Sequence, residues 1–167
     1  TDLVTAREAV LRGLPQDNGL FVPQQIPAFE PEKVEDILDM PLNEMAYEIV
    51  SPYLEGEIAE DVLRKICNEA FNFPLELIEL DHNLFVLELF HGPTLAFKDF
   101  GARFMARVMS SFVSGESREL NILVATSGDT GGAVGSGFHN VEGINVTILY
   151  PKGKISGRQE AQITTLG

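Results

Sequence analysis

Basic residues are scarce in this 167-residue chain. Only 12 Lys and Arg stand against 25 Asp and Glu, for a formal net charge of −13 and a pI near 4.5. A surface of that sign repels polyanions, which excludes generic binding to nucleic acid or to an anionic membrane face. Cysteine is nearly absent: Cys67 stands alone and cannot close an internal disulfide, which points to a cytoplasmic chain. With Lys65, Ile66 and Ala70 around it, Cys67 is expected to be a half-buried helix residue. Long apolar runs are missing too. None approaches the ~20 residues of a membrane-spanning helix, and no signal peptide is expected. Internal repeats and low-complexity tracts are also lacking. What remains is ordinary globular composition, 44% hydrophobic and 22% charged, in a chain long enough to bury a sizeable core.

The charge is unevenly placed. Residues 1–90 hold 19 acidic and 5 basic side chains, a net −14, whereas residues 91–167 hold 6 and 7, a net +1. Coulomb repulsion makes the first part a poor host for an anionic ligand and leaves the second part as the better one. The acidity itself is read as a solvated helical surface. Thr5 and Glu8 have capping-box spacing, and Ala6, Ala9 and Val10 follow at helical intervals. Gly13 and Pro15 end that helix, and Asp17, Asn18 and Gly19 form a turn. Leu20, Phe21 and Val22 read as a short strand closed by Pro23. From Pro31 to about Asn72 apolar residues recur every three or four positions, which predicts three amphipathic helices punctuated by Pro41, Pro52 and Gly56. This region shows no convincing catalytic cluster.

The texture changes after Pro74. Residues 84–87, with Leu89 and Phe90, are an apolar strand candidate. Phe100, Phe104, Val108 and Phe112 lie four apart, beside Ala102, Met105 and Met109, and predict a helix with a wide apolar face. Residues 121–126 read as a buried strand. Residues 127–137 carry five glycines and lead into a helix. Residues 144–150 are β-branched and strand-like, closed by Pro151. Strand, glycine-rich turn, helix and strand make a βαβ unit, hence a parallel sheet. Two such strands are fewer than a typical sheet holds. The chain opens at Thr1 without methionine and stops at Gly167, just after a new helix. It is therefore expected to be the N-terminal portion of a longer protein.

Three stretches carry candidate chemistry. In the first, Lys98 stands where an extended segment turns into the helix of Phe100 and Phe104. The positive end of the helix dipole and the apolar Leu95, Ala96 and Phe97 both disfavour an ammonium, as a Schiff-base lysine requires. The alternative is a surface lysine paired with Asp99. The second stretch, from Thr126 to Gly132, follows a strand and opens a helix. Its backbone N–H groups and hydroxyls could hold an anion, and its glycines could let a ligand approach closely. It has neither the G-x-G-x-x-G of a dinucleotide site nor the Gly-Lys-Ser/Thr of a P-loop. Asp129, Thr130 and Gly131 spell the aspartic-protease triplet, but a single copy in a βαβ setting does not make such an enzyme. A plain glycine-rich turn for helix packing remains open. The third stretch, with Lys152, Lys154, Arg158 and Gln159, reads as a phosphate-attracting loop or a solvated one.

Taken in order, these residues resemble a known family. His-Gly-Pro-Thr-Leu-Ala-Phe-Lys-Asp-Phe-Gly at 91–101 resembles the cofactor-lysine segment of threonine synthases, and Ser-Gly-Asp-Thr-Gly at 127–131 resembles their second signature. Tyr-Pro-Lys-Gly-Lys-Ile-Ser at 150–156 and the opening 13–23 are similar to the family as well. The resemblance spans nearly the whole chain but only the N-terminal part of the family's length. It implies an α/β chain: a mostly helical, acidic region over 1–90, then over 91–167 the first, incomplete part of a parallel-sheet βαβ domain of the tryptophan synthase β-like, fold type II kind. It implies pyridoxal 5′-phosphate as cofactor. Lys98 matches the lysine that bonds to the cofactor, and Phe97 would lie beside its ring. Asp129 would lie near its 3′-oxygen. Ser127, Gly128, Thr130 and Gly131 would hold the substrate carboxylate or phosphate, with Thr94 a weaker substrate contact. No metal ligand is assigned.

The implied reaction is the conversion of O-phospho-L-homoserine and water to L-threonine and phosphate, in the cytoplasm. That small molecule is the implied partner, with no nucleic acid or membrane and with the oligomeric state left open. Asn18, where many relatives carry glycine, is a departure that positive φ tolerates. The residues for the cofactor phosphate and pyridine nitrogen belong to a downstream part. Two alternatives stand: a related phospho-lyase giving a keto acid, and a non-enzymatic binding module.

Overall fold

The computed structural model describes residues 3–117 and 119–166; Thr1 and Gly167 lie outside them. The chain divides into two compact units, Thr1–Asn68 and Glu69–Gly167. That division lies upstream of the change in composition at residue 90.

The first unit begins with α1 (Ala6–Arg12). Thr5 Oγ1 accepts the Glu8 N–H at 3.0 Å, the expected N-cap. The reciprocal half of the capping box is replaced, because Glu8 pairs instead with Arg12 at 2.8 Å. The orphan N–H groups of Ala6 and Arg7 donate to the Glu57 carboxylate at 2.6 and 2.8 Å. A negative group from far along the chain thus sits on the positive end of α1. Gly13 ends the helix at φ 72° and Asn18 makes the turn at φ 60°. The strand expected at 20–22 does not form. Leu20 and Val22 are both 77% exposed, and an extended segment with no ladder partner leaves its backbone groups to water.

The three amphipathic helices do form, as α2 (Pro31–Leu38), α3 (Leu42–Leu54) and α4 (Glu60–Ala70). Pro52 sits inside α3 rather than ending it. Its missing N–H frees the Glu48 carbonyl, and Ser51 Oγ lies 3.5 Å from that oxygen. Cys67 is fully buried, not half-buried, at 0% exposure. It shares one helical stripe with Leu63 and Ala70, both also buried.

The second unit opens with an antiparallel hairpin, β1 (Glu76–Asp81) and β2 (Leu84–Glu88), turned at Asn83 with φ 60°. Strand β2 matches the expected strand at 84–87, whereas β1 was not foreseen. Then follow α5 (Lys98–Val113), β3 (Leu120–Ala125), α6 (Asp129–Phe138), β4 (Ile144–Leu149) and α7 (Gly157–Thr164). β3 and β4 pair in parallel from Leu120↔Ile144 to Ala125↔Leu149, with α6 as the crossover. The βαβ unit is therefore present. Its strands are half-buried and alternating rather than buried throughout: Ile148 faces α6, while Leu123 is 68% exposed.

Helix α5 buries Ala106, Val108, Met109, Phe112 and Val113. Its first turns belong to an aromatic cluster in which Phe100 meets Phe73 edge-on at 4.9 Å and Phe104 stacks on Phe71 at 5.7 Å. Arg103 donates to the carbonyls of Glu69 and Ala70 at 2.6 and 2.9 Å, groups that the end of α4 leaves unpaired. The architecture is a helical N-terminal region followed by the start of a parallel α/β sheet. Among the described residues no helix is long and apolar enough to cross a membrane.

Candidate functional site

Lys98 is the first residue of α5, as its sequence context predicts. The segment before it is not extended but a run of tight turns. The hinge of that run is Asp99, which is 0% exposed. Its Oδ2 accepts the Thr94 N–H at 2.8 Å and its Oδ1 accepts the Thr94 hydroxyl at 2.7 Å. Gly92 is pressed so close that a Cβ there would overlap the Asp99 side chain. Between them Leu95 is held at φ 59°, an uncommon conformation for a bulky residue. Asp99 is thus committed to Thr94, not to Lys98. The Lys98 amine instead lies 4.5 Å over the Phe97 ring. The apolar shell expected around it is largely absent, since Leu95 and Phe97 are 72% and 60% exposed and only Ala96 is buried. In a turn this tight alternate side chains are thrown outward.

The second stretch forms the other wall. Thr126 Oγ1 accepts the N–H groups of Gly128 and Gly131 at 3.2 and 3.0 Å, which curls the loop around one hydroxyl. The N-cap residue Gly128 offers α6 no side-chain cap, and of the helix's own N–H groups Thr126 takes only that of Gly131, so the N–H groups of Asp129 and Thr130, its first two residues, point out of the helix end without a capping partner among the described residues. Lys98, Thr126, Ser127, Gly128, Asp129 and Thr130, with Ala125 and Gln159, line one cavity of about 420 Å3. An amine, three hydroxyls, a carboxylate and a positively polarised helix end therefore face a common space. That set can bind an anion and move a proton at the lysine nitrogen.

Not every candidate residue joins the cavity. Phe97 stays at its edge beside the amine, and the Thr94 hydroxyl is engaged by Asp99. Gly131 is buried inside α6, where Thr126 and Ile163 fill the space a side chain would take. The other glycines of the stretch tell the same story. A Cβ at Gly128 would lie 2.7 Å from Gln159 Nε2, one at Gly132 3.1 Å from Gln162, and one at Gly137 3.0 Å from the backbone of α5. Here protein, rather than ligand, makes the close approach, and the helix-packing reading accounts for most of the glycines. Three ligand-type side chains also meet elsewhere: Glu76, Glu88 and His91 lie within 4.8 Å of one another, and His91 Nε2 is 2.7 Å from Glu88.

The chain matches a family model described as the threonine synthase N terminus over residues 1–71. It is 48% identical to the threonine synthase of Haemophilus influenzae and 41% identical to that of Escherichia coli, in both cases over 98% of this chain and 38% of the relative. The chain belongs to the threonine synthase family. It corresponds to the N-terminal portion and spans about 38% of the length of these curated relatives. Two solved structures from the family superpose on it. Threonine synthase from Brucella melitensis with pyridoxal phosphate bound aligns with a TM-score of 0.91 at 36% identity, over 95% of this chain and 35% of that one. The Escherichia coli enzyme aligns at 0.87 and 40% identity, over 98% of this chain and 38% of that one.

Two residues of this candidate site were under-read in the sequence. Thr126 organises the loop but looked like the end of a strand. Gln159 reaches the cavity from α7, where its Nε2 donates to Asp129 Oδ1 at 2.9 Å. The signal for it was available, because Ser156 and Gln159 have the spacing of a capping box.

Proposed function

We propose that this chain is the N-terminal part of a cytoplasmic, pyridoxal phosphate-dependent lyase of fold type II. It would convert O-phospho-L-homoserine and water to L-threonine and phosphate, the last step of threonine biosynthesis. The observation that carries the reading is the placement of the Lys98 amine on the same cavity as the 126–130 turn. The donor set suits the cofactor and its substrate: a primary amine for an aldehyde, a carboxylate for a phenolic oxygen, and hydroxyls with N–H groups for an anion. A solved relative with the cofactor bound supports the same reading.

When bound, the cofactor supplies an electron sink for charge that develops beside the substrate amine. Lys98 would hold the cofactor through its amine, and its Nζ could take up and return a proton. Phe97 covers the amine from one side. Ser127, Thr130 and the N–H groups at the start of α6 hold the anionic end of the substrate, with Gly128 and Gly131 keeping the turn narrow. Asp129, on the same cavity, would offer its carboxylate to the cofactor's phenolic oxygen. The Thr94 hydroxyl, held by Asp99, would serve only as a secondary substrate contact. The near-neutral charge of residues 91–167 admits an anion that residues 1–90 would repel.

The test uses the full-length protein. Added pyridoxal phosphate should give a protein-bound visible absorption band, and Lys98→Ala should abolish it. Release of phosphate with threonine supports the proposed reaction. Release of phosphate with a keto acid would assign the related phospho-lyase instead, and no band in the wild-type protein would leave the binding-module reading.

A further inference from the structure

We propose that Gln159 is a positioning residue of this site, whose amide clamps Asp129 and holds the 127–131 turn against the N-terminus of α7. The orientation of that amide is set by its partners. Oε1 faces two donors, the Ser156 N–H and the Ser156 hydroxyl, each at 3.0 Å. The hydroxyl in turn accepts the Gln159 N–H at 3.3 Å. With the oxygen committed to the cap, the NH2 group has to point forward, and Asp129 Oδ1 receives it at 2.9 Å. Gly128 makes room for this contact, because the amide nitrogen lies 2.7 Å from where a Cβ would be.

One side chain therefore does two jobs. It completes the capping box of α7, and it ties that helix to the first residue of α6. One carboxylate oxygen of Asp129 is taken by the clamp, which leaves Oδ2 for the cavity. Glutamine suits both jobs because it is an acceptor at one atom and a donor at the other. Glutamate of the same shape can cap α7 but sets a carboxylate against a carboxylate at Asp129. The consequence for cofactor binding rests on the function proposed above; the clamp itself does not.

The first experiment follows amide hydrogen exchange in the cofactor-free, full-length protein. Gln159→Met and Gln159→Glu should both speed exchange at Gly128 and Gly131 about tenfold, the factor that one ordinary hydrogen bond supplies. Ser156→Ala removes the cap but leaves the Asp129 contact, so its effect should stay in the first turn of α7. The second experiment titrates the visible band of the cofactor-loaded protein against pH. Gln159→Glu should move the midpoint by about one pH unit, whereas Ser156→Ala should not. Unchanged exchange at Gly128 and Gly131 in both Gln159 variants, or equal acceleration by Ser156→Ala, overturns the clamp. Absence of any band in the wild-type protein overturns the functional reading instead, and the exchange result still decides the clamp.

Discussion

Removing the Asp99 carboxylate should unlock the loop that presents Lys98. The group is 0% exposed and accepts two hydrogen bonds from Thr94, at 2.7 and 2.8 Å. Hydrogen bonds to an ionised acceptor contribute about 1.5–3 kcal/mol each, and a buried donor left unpaired costs about 1–3 kcal/mol. Asp99→Ala removes both bonds, strands the Thr94 N–H and leaves a small void beside Gly92. The expected loss is about 3–5 kcal/mol, a large share of the ~5–15 kcal/mol by which domains are usually stable. Asp99→Asn keeps the shape. Its carbonyl oxygen still accepts the Thr94 N–H, and the hydroxyl can rotate to accept from the new amide, so about 1 kcal/mol is expected.

Urea unfolding followed by circular dichroism measures both variants. A Thr94→Ala, Asp99→Ala double-mutant cycle should return a coupling of about 1–3 kcal/mol. The reasoning is refuted if Asp99→Ala unfolds within about 0.5 kcal/mol of the wild type, or if Asn is as damaging as Ala.

Four further outcomes are expected. Gly137→Ala places a Cβ 3.0 Å from the α5 backbone and should cost about 1–3 kcal/mol by pushing two helices apart. Gly101→Ala meets nothing within 4 Å and should stabilise α5 by about 0.5–1 kcal/mol; thermal melts compare the two. Burial pushes the Cys67 thiol up to about 11, against 9.0 when free. Because its folded value is raised, its contribution to stability is whole below about pH 9 and is lost as pH climbs through about 11. A thiol-reactive disulfide at pH 8 should label the native chain at least ~100-fold more slowly than the urea-unfolded one. In the full-length protein Lys98→Ala should fold normally and take up no cofactor, as judged by its melt and its missing visible band.

Local chemistry explains why much of the fold was legible. The three helices between Pro31 and Ala70 announce themselves by apolar spacing, and Gly13 and Asn18 by the positive φ each adopts. The βαβ unit follows from two β-branched runs with a helix between them. Failures came where a partner decides. Residues 20–22 have strand-like side chains but no pairing strand among the described residues. Residues 76–81 become β1 because Ile78 and Leu77 meet Val86 and Leu87, although Glu76, Glu79 and Asp81 dilute the pattern. Pro52 looked like a stop, yet α3 runs past it to Leu54.

The candidate site divides along the same line. Residue types and their order along the chain were enough to single out an amine at a helix start and an anion-holding turn at another, since both depend on neighbours a few residues away. Only the folded chain shows that the two face one cavity. Only it shows that Asp99 serves Thr94 instead of Lys98, and that Gly128 and the glycines of α6 yield space to α5, Thr126 and two glutamines. Those facts rest on contacts between residues up to 68 positions apart, as when Gln162 donates to the Thr94 carbonyl. Close packing admits such neighbours only after the whole unit has formed, and no local spacing encodes which side chain will fill a given gap.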